Sequence, residues 1–136
     1  MANEKTYRVK DATLQESKAL PASAGDVSTD SFDLGAAAQK LARCELELSV
    51  PALGATPLPN GETVTYKLED SADDSSFATV QDSVVVQTGA AGAGAAAVVD
   101  RIGIPSNIRQ YVRVTATLSG GGADASASSM TLSLVF

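Results

Sequence analysis

Arg109-Gln-Tyr-Val-Arg-Val-Thr-Ala-Thr-Leu118 is the longest clean strand pattern in this chain. Val112, Val114, Ala116 and Leu118 fall on one side, and Tyr111, Arg113, Thr115 and Thr117 on the other. A period of two in β-branched and aromatic residues marks a strand, because successive side chains leave a pleated backbone on opposite faces. Ile102, Ile104 and Pro105 precede the stretch, and Gly120 to Gly122 close it. Its length predicts a central place in a sheet, with the other segments arranged around it.

Outward from it the same alternation returns. Cys44, Leu46, Leu48 and Val50 alternate with Arg43, Glu45, Glu47 and Ser49, which predicts a half-buried strand with an acidic outer face. Val64, Tyr66 and Leu68 alternate with Thr63, Thr65 and Lys67. Between these two lies a Pro- and Gly-rich loop, Pro51 to Gly61, ending in an Asn60-Gly61 turn. Shorter strands are predicted at 31–34, 77–80, 83–88 and 95–102, and a last one at 129–136 with Met130, Leu132, Leu134 and Phe136 to one side. The Val84-Val85-Val86 run reads as a strand covered on both faces. Gly89 to Gly94 and Ser119 to Ser129 read as flexible Gly/Ala/Ser linkers.

About eight short strands with turn signals between them and no helical period predict an all-β fold. The count fits a jelly-roll-type β-sandwich over residues 29–136. An immunoglobulin-like sandwich is second, since the chain has no Trp for its inward core position. Residues 1–28 are polar with scattered single hydrophobes and read as an extended N-terminal arm: either a loose terminus or an arm that pairs with a sheet edge, its own or a neighbour's. Tyr7, Val9, Leu14 and Leu20 are its candidate contacts with a partner. With 136 residues and only 4% aromatics, the domain has one thin sheet-on-sheet core.

The net charge of −6 speaks against nucleic acid and against an anionic membrane surface as partners. No stretch reaches the roughly 18 apolar residues of a membrane helix, and Met1 to Lys10 lacks the apolar centre of a secretory signal. Without His, the chain offers no Ser-His-Asp or Cys-His arrangement and no His-based zinc site. Its one cysteine, Cys44, sits at an apolar strand position and reads as a small core residue, which suits a reducing cytoplasm. The run Glu69 to Ser76 holds Asp70, Asp73 and Asp74, whose carboxylates could gather oxygen ligands for calcium, but the spacing fits no cation loop. Asp/Ser clusters more often shape turns. Arg109, Tyr111 and Arg113 form a candidate interface stripe; the plainer expectation is a cross-strand ion pair with Glu45 or Glu47. No enzyme and no cofactor are expected.

Five stretches in order carry a resemblance: Lys10-Asp-Ala12, Ala19-Leu-Pro21, Phe32-Asp-Leu-Gly35, Asp70-Ser-Ala-Asp-Asp-Ser-Ser-Phe77 and Ile104-Pro-Ser-Asn-Ile-Arg-Gln-Tyr-Val-Arg-Val114. Together they resemble the jelly-roll capsid cement, or decoration, proteins of tailed phages. The resemblance implies a virion structural protein on the capsid exterior, made in the host cytoplasm. It would bind the major capsid protein, brace the expanded shell, and act as a homodimer or homotrimer. A carbohydrate-binding or adhesin-type β-sandwich, or a tail or receptor-binding module of the virion, is the other class the composition admits. It would need exposed aromatics to stack on sugars.

Overall fold

The computed structural model describes residues 10–35, 44–120 and 123–136, with the backbone alone for residues 10–13. Nine strands follow in order: β1 Lys10–Ala19, β2 Gly25–Ser28, β3 Phe32–Asp33, β4 Glu45–Val50, β5 Thr63–Ser71, β6 Ala78–Thr88, β7 Val98–Gly103, β8 Tyr111–Leu118 and β9 Ser129–Val135. The described residues contain no helix.

All pairings are antiparallel. One sheet runs β1-β9-β4-β7; the other runs β2-β8-β5-β6, with β3 following β2 along the same edge of β8. Counted with β2 and β3 as one interrupted strand, the described residues form eight strands paired first with last, second with seventh, third with sixth and fourth with fifth. It is one long hairpin, turned at β5–β6 and rolled until β9 meets β4 and β8 meets β5. That is a jelly roll.

The alternation read from the sequence sets the core. Val112, Val114, Ala116 and Leu118 of β8 are at most 1% exposed. They face Leu46, Leu48 and Val50 of β4 and Met130, Leu132 and Leu134 of β9 in one cluster. Each fully buried Val or Leu contributes about 1.5–3 kcal/mol. Cys44 is half-buried against this cluster. Among the described residues Tyr66 is the one fully buried aromatic, and burial pushes its phenol upward from its ordinary value. Its hydroxyl donates to Gln87 Oε1 (2.8 Å), and Gln87 Nε2 donates to the carbonyls of Pro51 (2.8 Å) and Ala96 (2.9 Å). This one amide ties β6 to the ends of β4 and β7 in the opposite sheet.

Residues 1–28 are built into the sandwich from Lys10 on. β1 pairs with β9, β2 pairs with β8, and Leu20 between them is a core residue, 2% exposed. Residues 77–80 and 83–88, read as two strands, form a single β6 whose register to β5 shifts twice. The Val84-Val85-Val86 run is covered on one face only: Val85 points inward and Val86, 50% exposed, lies on the outer face of its sheet, because a two-layer sandwich buries only the inner face of each sheet.

The two linkers also differ from their reading. Ala90 and Gly94 bridge each other, and Ala95 bridges Leu53. Ala123 and Ala125 are buried, and the Ala125 N–H donates to the Pro21 carbonyl (3.0 Å). Small side chains let these backbones approach closely, so in the described residues the stretches are packed loops and not free linkers. At Gly94 (φ 66°) a Cβ would stand 1.9 Å from the Leu53 carbonyl oxygen.

Candidate functional site

The roll leaves two sets of loops at opposite ends. At one end the chain passes from β5 to β6 (72–77), from β7 to β8 (104–110) and out of β3. Three of the five stretches that carry the resemblance meet here: 32–35, 70–77 and 104–114. Asp33 and Ser71 both pair with Tyr111, and Phe32 and Asp70 with Val112, from either side of β8.

Charged side chains hold this end together. Asp70 closes β5 with its side chain buried, and its carboxylate accepts from the Arg109 backbone N–H (2.9 Å) and Nε (2.7 Å). Arg109 Nη2 lies 2.6 Å from the same carboxylate and donates to the Asp70 carbonyl (2.8 Å). One arginine thus pins the 104–110 loop to the end of β5. One position back, Glu69 is directly opposite Arg113. Its buried carboxylate takes Thr115 Oγ1 (2.7 Å), Arg113 Nε (2.8 Å) and Lys67 Nζ (3.1 Å). Burial alone would raise Glu69. The hydrogen bonds from Thr115, Arg113 and Lys67 outweigh it and hold the carboxyl below its ordinary value.

The 71–77 turn is built on Asp73. Its Oδ1 accepts from the Ser76 N–H (2.9 Å), the Ser71 hydroxyl (2.8 Å) and the Ser75 N–H (3.1 Å), and these donors lower its carboxyl to about 2. Asp74 has a left-handed backbone (φ 58°) and takes a hydrogen bond from the Ser31 hydroxyl. Phe77 lies under the Arg113 guanidinium, 3.9 Å from ring centroid to Cζ. Asp33 accepts from the Gly35 N–H (2.6 Å) and from Gln110 Nε2 (3.1 Å). Two open clefts flank the cluster. One, of about 390 Å³, is lined by Thr29, Asp30, Ser31, Asp74, Phe77 and Arg113. The other, of about 450 Å³, is lined by Asp70, Thr79, Val80, Pro105, Asn107 and Arg109 among others.

The predicted site residues fall as follows. Arg109, Tyr111 and Arg113 meet at this end, all half-buried. The ion pairs expected with Glu45 or Glu47 are replaced by pairs with Asp70 and Glu69. The reason is topological: β4 lies in the other sheet, where Glu47 pairs with Arg101 (3.2 Å). Leu20 and Leu14 pack into or against their own chain's core. Tyr7 and Val9 lie outside the described residues. Asp70 and Asp73, weighed as calcium ligands, are occupied by Arg109 and by turn donors, and among the described residues no three His, Cys, Asp or Glu side chains gather as a metal site. The residue that sequence reasoning missed is Asp70 as the anchor of Arg109. No local signal marks it, because the partners are 39 positions apart.

The Bbp16 family matches residues 14–132 of the chain. No curated protein matches it. Among solved structures, the chain is similar to a chain of the empty virus-like particle of cowpea mosaic virus, at 11% identity and a TM-score of 0.46, covering 98% of this chain and 82% of that one. It is similar to infectious bursal disease virus, Gx strain, at 15% identity and a TM-score of 0.39, and to the Gt strain at 16% and 0.36. In both cases it covers 96% of this chain but spans only 31% of the other. The jelly roll is assigned on this chain's own strand pairing.

Proposed function

The chain belongs to the Bbp16 family, and from that premise we propose that it is a structural protein of a phage virion. It acts without catalysis, as a cement protein that binds the outside of the capsid and bridges major capsid protein subunits. The observation that carries this reading is the convergence at one end of the sandwich. Three stretches of the cement-protein resemblance, far apart in sequence, form one hydrogen-bonded unit around Asp70, Arg109, Asp73 and Arg113. These side chains are consumed internally, which suits a rigid docking surface better than a reactive site.

In this reading the loops 71–77 and 104–108 face the capsid. Arg109 and Arg113 brace that surface from behind. A braced loop loses little entropy on docking, and many weak contacts over a lattice add through avidity. Tyr7 and Val9 are proposed as further contacts to the capsid or a neighbouring subunit, and self-association as a dimer or trimer belongs to the same reading. The sugar-binding alternative needs a face of exposed aromatics, and the structure offers only scattered ones: Tyr66 and Phe32 are in the core, Phe77 is covered by Arg113, and Phe136, 53% exposed, stands alone after β9.

The test is to add the purified chain to expanded capsids that lack it and to measure bound copies and the temperature of capsid rupture. Saturable binding and a higher rupture temperature are expected. Ser75→Arg, on the exposed 71–77 turn, is expected to cut occupancy at least tenfold, and Thr56→Arg at the opposite end to leave it unchanged. Deleting residues 1–9, which spares β1, is expected to weaken binding. A chain that never binds capsids sinks the reading.

A further inference from the structure

Asn60-Gly61 is the only Asn-Gly pair in the chain, and no Asp-Gly pair occurs. Such a pair carries its own reaction. The Gly61 backbone nitrogen can attack the Asn60 side-chain carbonyl carbon, because glycine puts no side chain in the way. A new N–C bond closes a succinimide ring, the Cγ–Nδ2 bond breaks, and ammonia leaves with the proton lost from the Gly61 nitrogen. Water then opens the ring at either carbonyl and leaves aspartate or isoaspartate. The product adds a carboxylate to a chain of net charge −6, and its isoaspartate form lengthens the backbone of the turn.

The fold exposes the side chain and engages the nitrogen. Asn60 and Gly61 are both exposed. The Glu62 N–H donates to the Pro59 carbonyl (3.0 Å) and Gly61 has φ 84°, which makes a type II turn with Asn60 at its second position. The ψ of about +120° at that position turns the Gly61 nitrogen away from Asn60 Cβ, whereas ring closure needs the two eclipsed. The same nitrogen is also held: its N–H donates to the Gly89 carbonyl (2.9 Å), and the Gly89 N–H donates to the Glu62 carbonyl (2.8 Å). This clasp continues the β5–β6 ladder past its Thr63–Thr88 pair. Gly89 is seated so closely that a Cβ there would stand 2.0 Å from the Pro59 carbonyl oxygen and 2.6 Å from that of Leu58.

We propose that Asn60 is a self-modification site of this chain, subject to spontaneous deamidation, and that the Gly89 clasp keeps it closed in the folded protein. The attack needs the 59–62 turn to lift off Gly89, free the Gly61 nitrogen and rotate Asn60 about ψ. Its rate is therefore set by local opening of this clasp, and not by the exposure of the Asn60 side chain. The clasp is made by backbone groups alone, so it holds only while Gly89 stays small enough to sit against residues 58 and 59. The inference is independent of the capsid reading, since it concerns the isolated chain.

The test is to incubate the full chain at mildly alkaline pH, folded and in urea, and to follow the peptide that holds Asn60 by mass spectrometry for aspartate and isoaspartate. The folded chain is expected to react at least tenfold more slowly than the chain in urea. Gly89→Ala is expected to recover most of that difference without urea. Val112→Ala, a core truncation at the opposite end of the sandwich, lowers global stability and is expected to leave the folded rate unchanged. Amide hydrogen exchange on the wild-type chain gives a second measurement that needs no variant to fold: the Gly61 N–H is expected to be protected although the residue is exposed. A folded chain that deamidates as fast as the chain in urea overturns the proposal, as does an unprotected Gly61 N–H. Equal acceleration by Gly89→Ala and Val112→Ala also overturns it, because global unfolding then sets the rate.

Discussion

The two ends of this sandwich close their loops by opposite means. At the β5–β6 and β7–β8 end, ionic and polar side chains do the closing: Arg109 on Asp70, Arg113 on Glu69, and the serines of the 71–77 turn on Asp73. At the other end, backbone meets backbone. Leu53 and Ala95 exchange two hydrogen bonds (2.9 and 2.8 Å). The Gly61 N–H donates to the Gly89 carbonyl (2.9 Å), and the Gly89 N–H to that of Glu62 (2.8 Å). Leu20 reaches Ser128 in the same way (2.9 Å). The Asn60-Gly61 turn there has its Glu62 N–H on the Pro59 carbonyl (3.0 Å) and Gly61 at φ 84°, a type II turn. Small residues are the condition for such close approach, and charged residues with long reach are the condition for the other. The comparison teaches that low complexity can mean tight packing as well as looseness.

If this contrast is right, the largest effect belongs to the backbone-closed end. Gly94→Ala combines a left-handed φ with a Cβ 1.9 Å from the Leu53 carbonyl oxygen, which is backbone and not the end of a flexible side chain. We expect a loss of about 3 kcal/mol in urea unfolding. A near-neutral result would show that the 89–97 loop is free to shift, and would erase the contrast. Arg109→Ala comes next. It leaves the Asp70 carboxylate buried with the backbone N–H as its remaining Arg109 donor, for a loss of about 2 kcal/mol. Arg113→Gln removes one of three partners of Glu69 and one cation–π contact, and about 1 kcal/mol is expected, since the arginine is part exposed.

The smallest effect, and the one that separates the ends without mutating the fold, is pH. Glu69 and Asp73 are depressed in the folded state, so their stabilisation is complete above the unfolded carboxylate values of about 4. It is lost as pH falls through the folded values, toward about 2 for Asp73. With no His, the melting temperature is expected to be flat between about pH 5.5 and 8 and to fall below about pH 4. Arg113→Gln moves the onset of that fall upward, because Glu69 loses a donor that holds it down. An onset that does not move means that Thr115 and Lys67 hold Glu69 without Arg113. Gly94→Ala leaves the onset in place and lowers the whole curve.

The strands and their buried faces were legible in the sequence. Val112-Val114-Ala116-Leu118, Leu46-Leu48-Val50 and Val64-Tyr66-Leu68 each obey a period of two that the backbone imposes locally, so no knowledge of the partner strand is needed to read which side is inside. The fold class follows from their number and spacing, and the Asp73 turn from its serines. Tertiary structure alone decided which strands share a sheet, and therefore that Arg109 and Arg113 reach Asp70 and Glu69 and never meet Glu45 or Glu47. It alone sent Leu20 into the core, left Val86 on an open edge, and turned two Gly/Ala stretches into packed loops. These are contacts between positions tens of residues apart. They depend on register and on how the sheets roll together, and a side chain's own sequence neighbourhood carries no record of either.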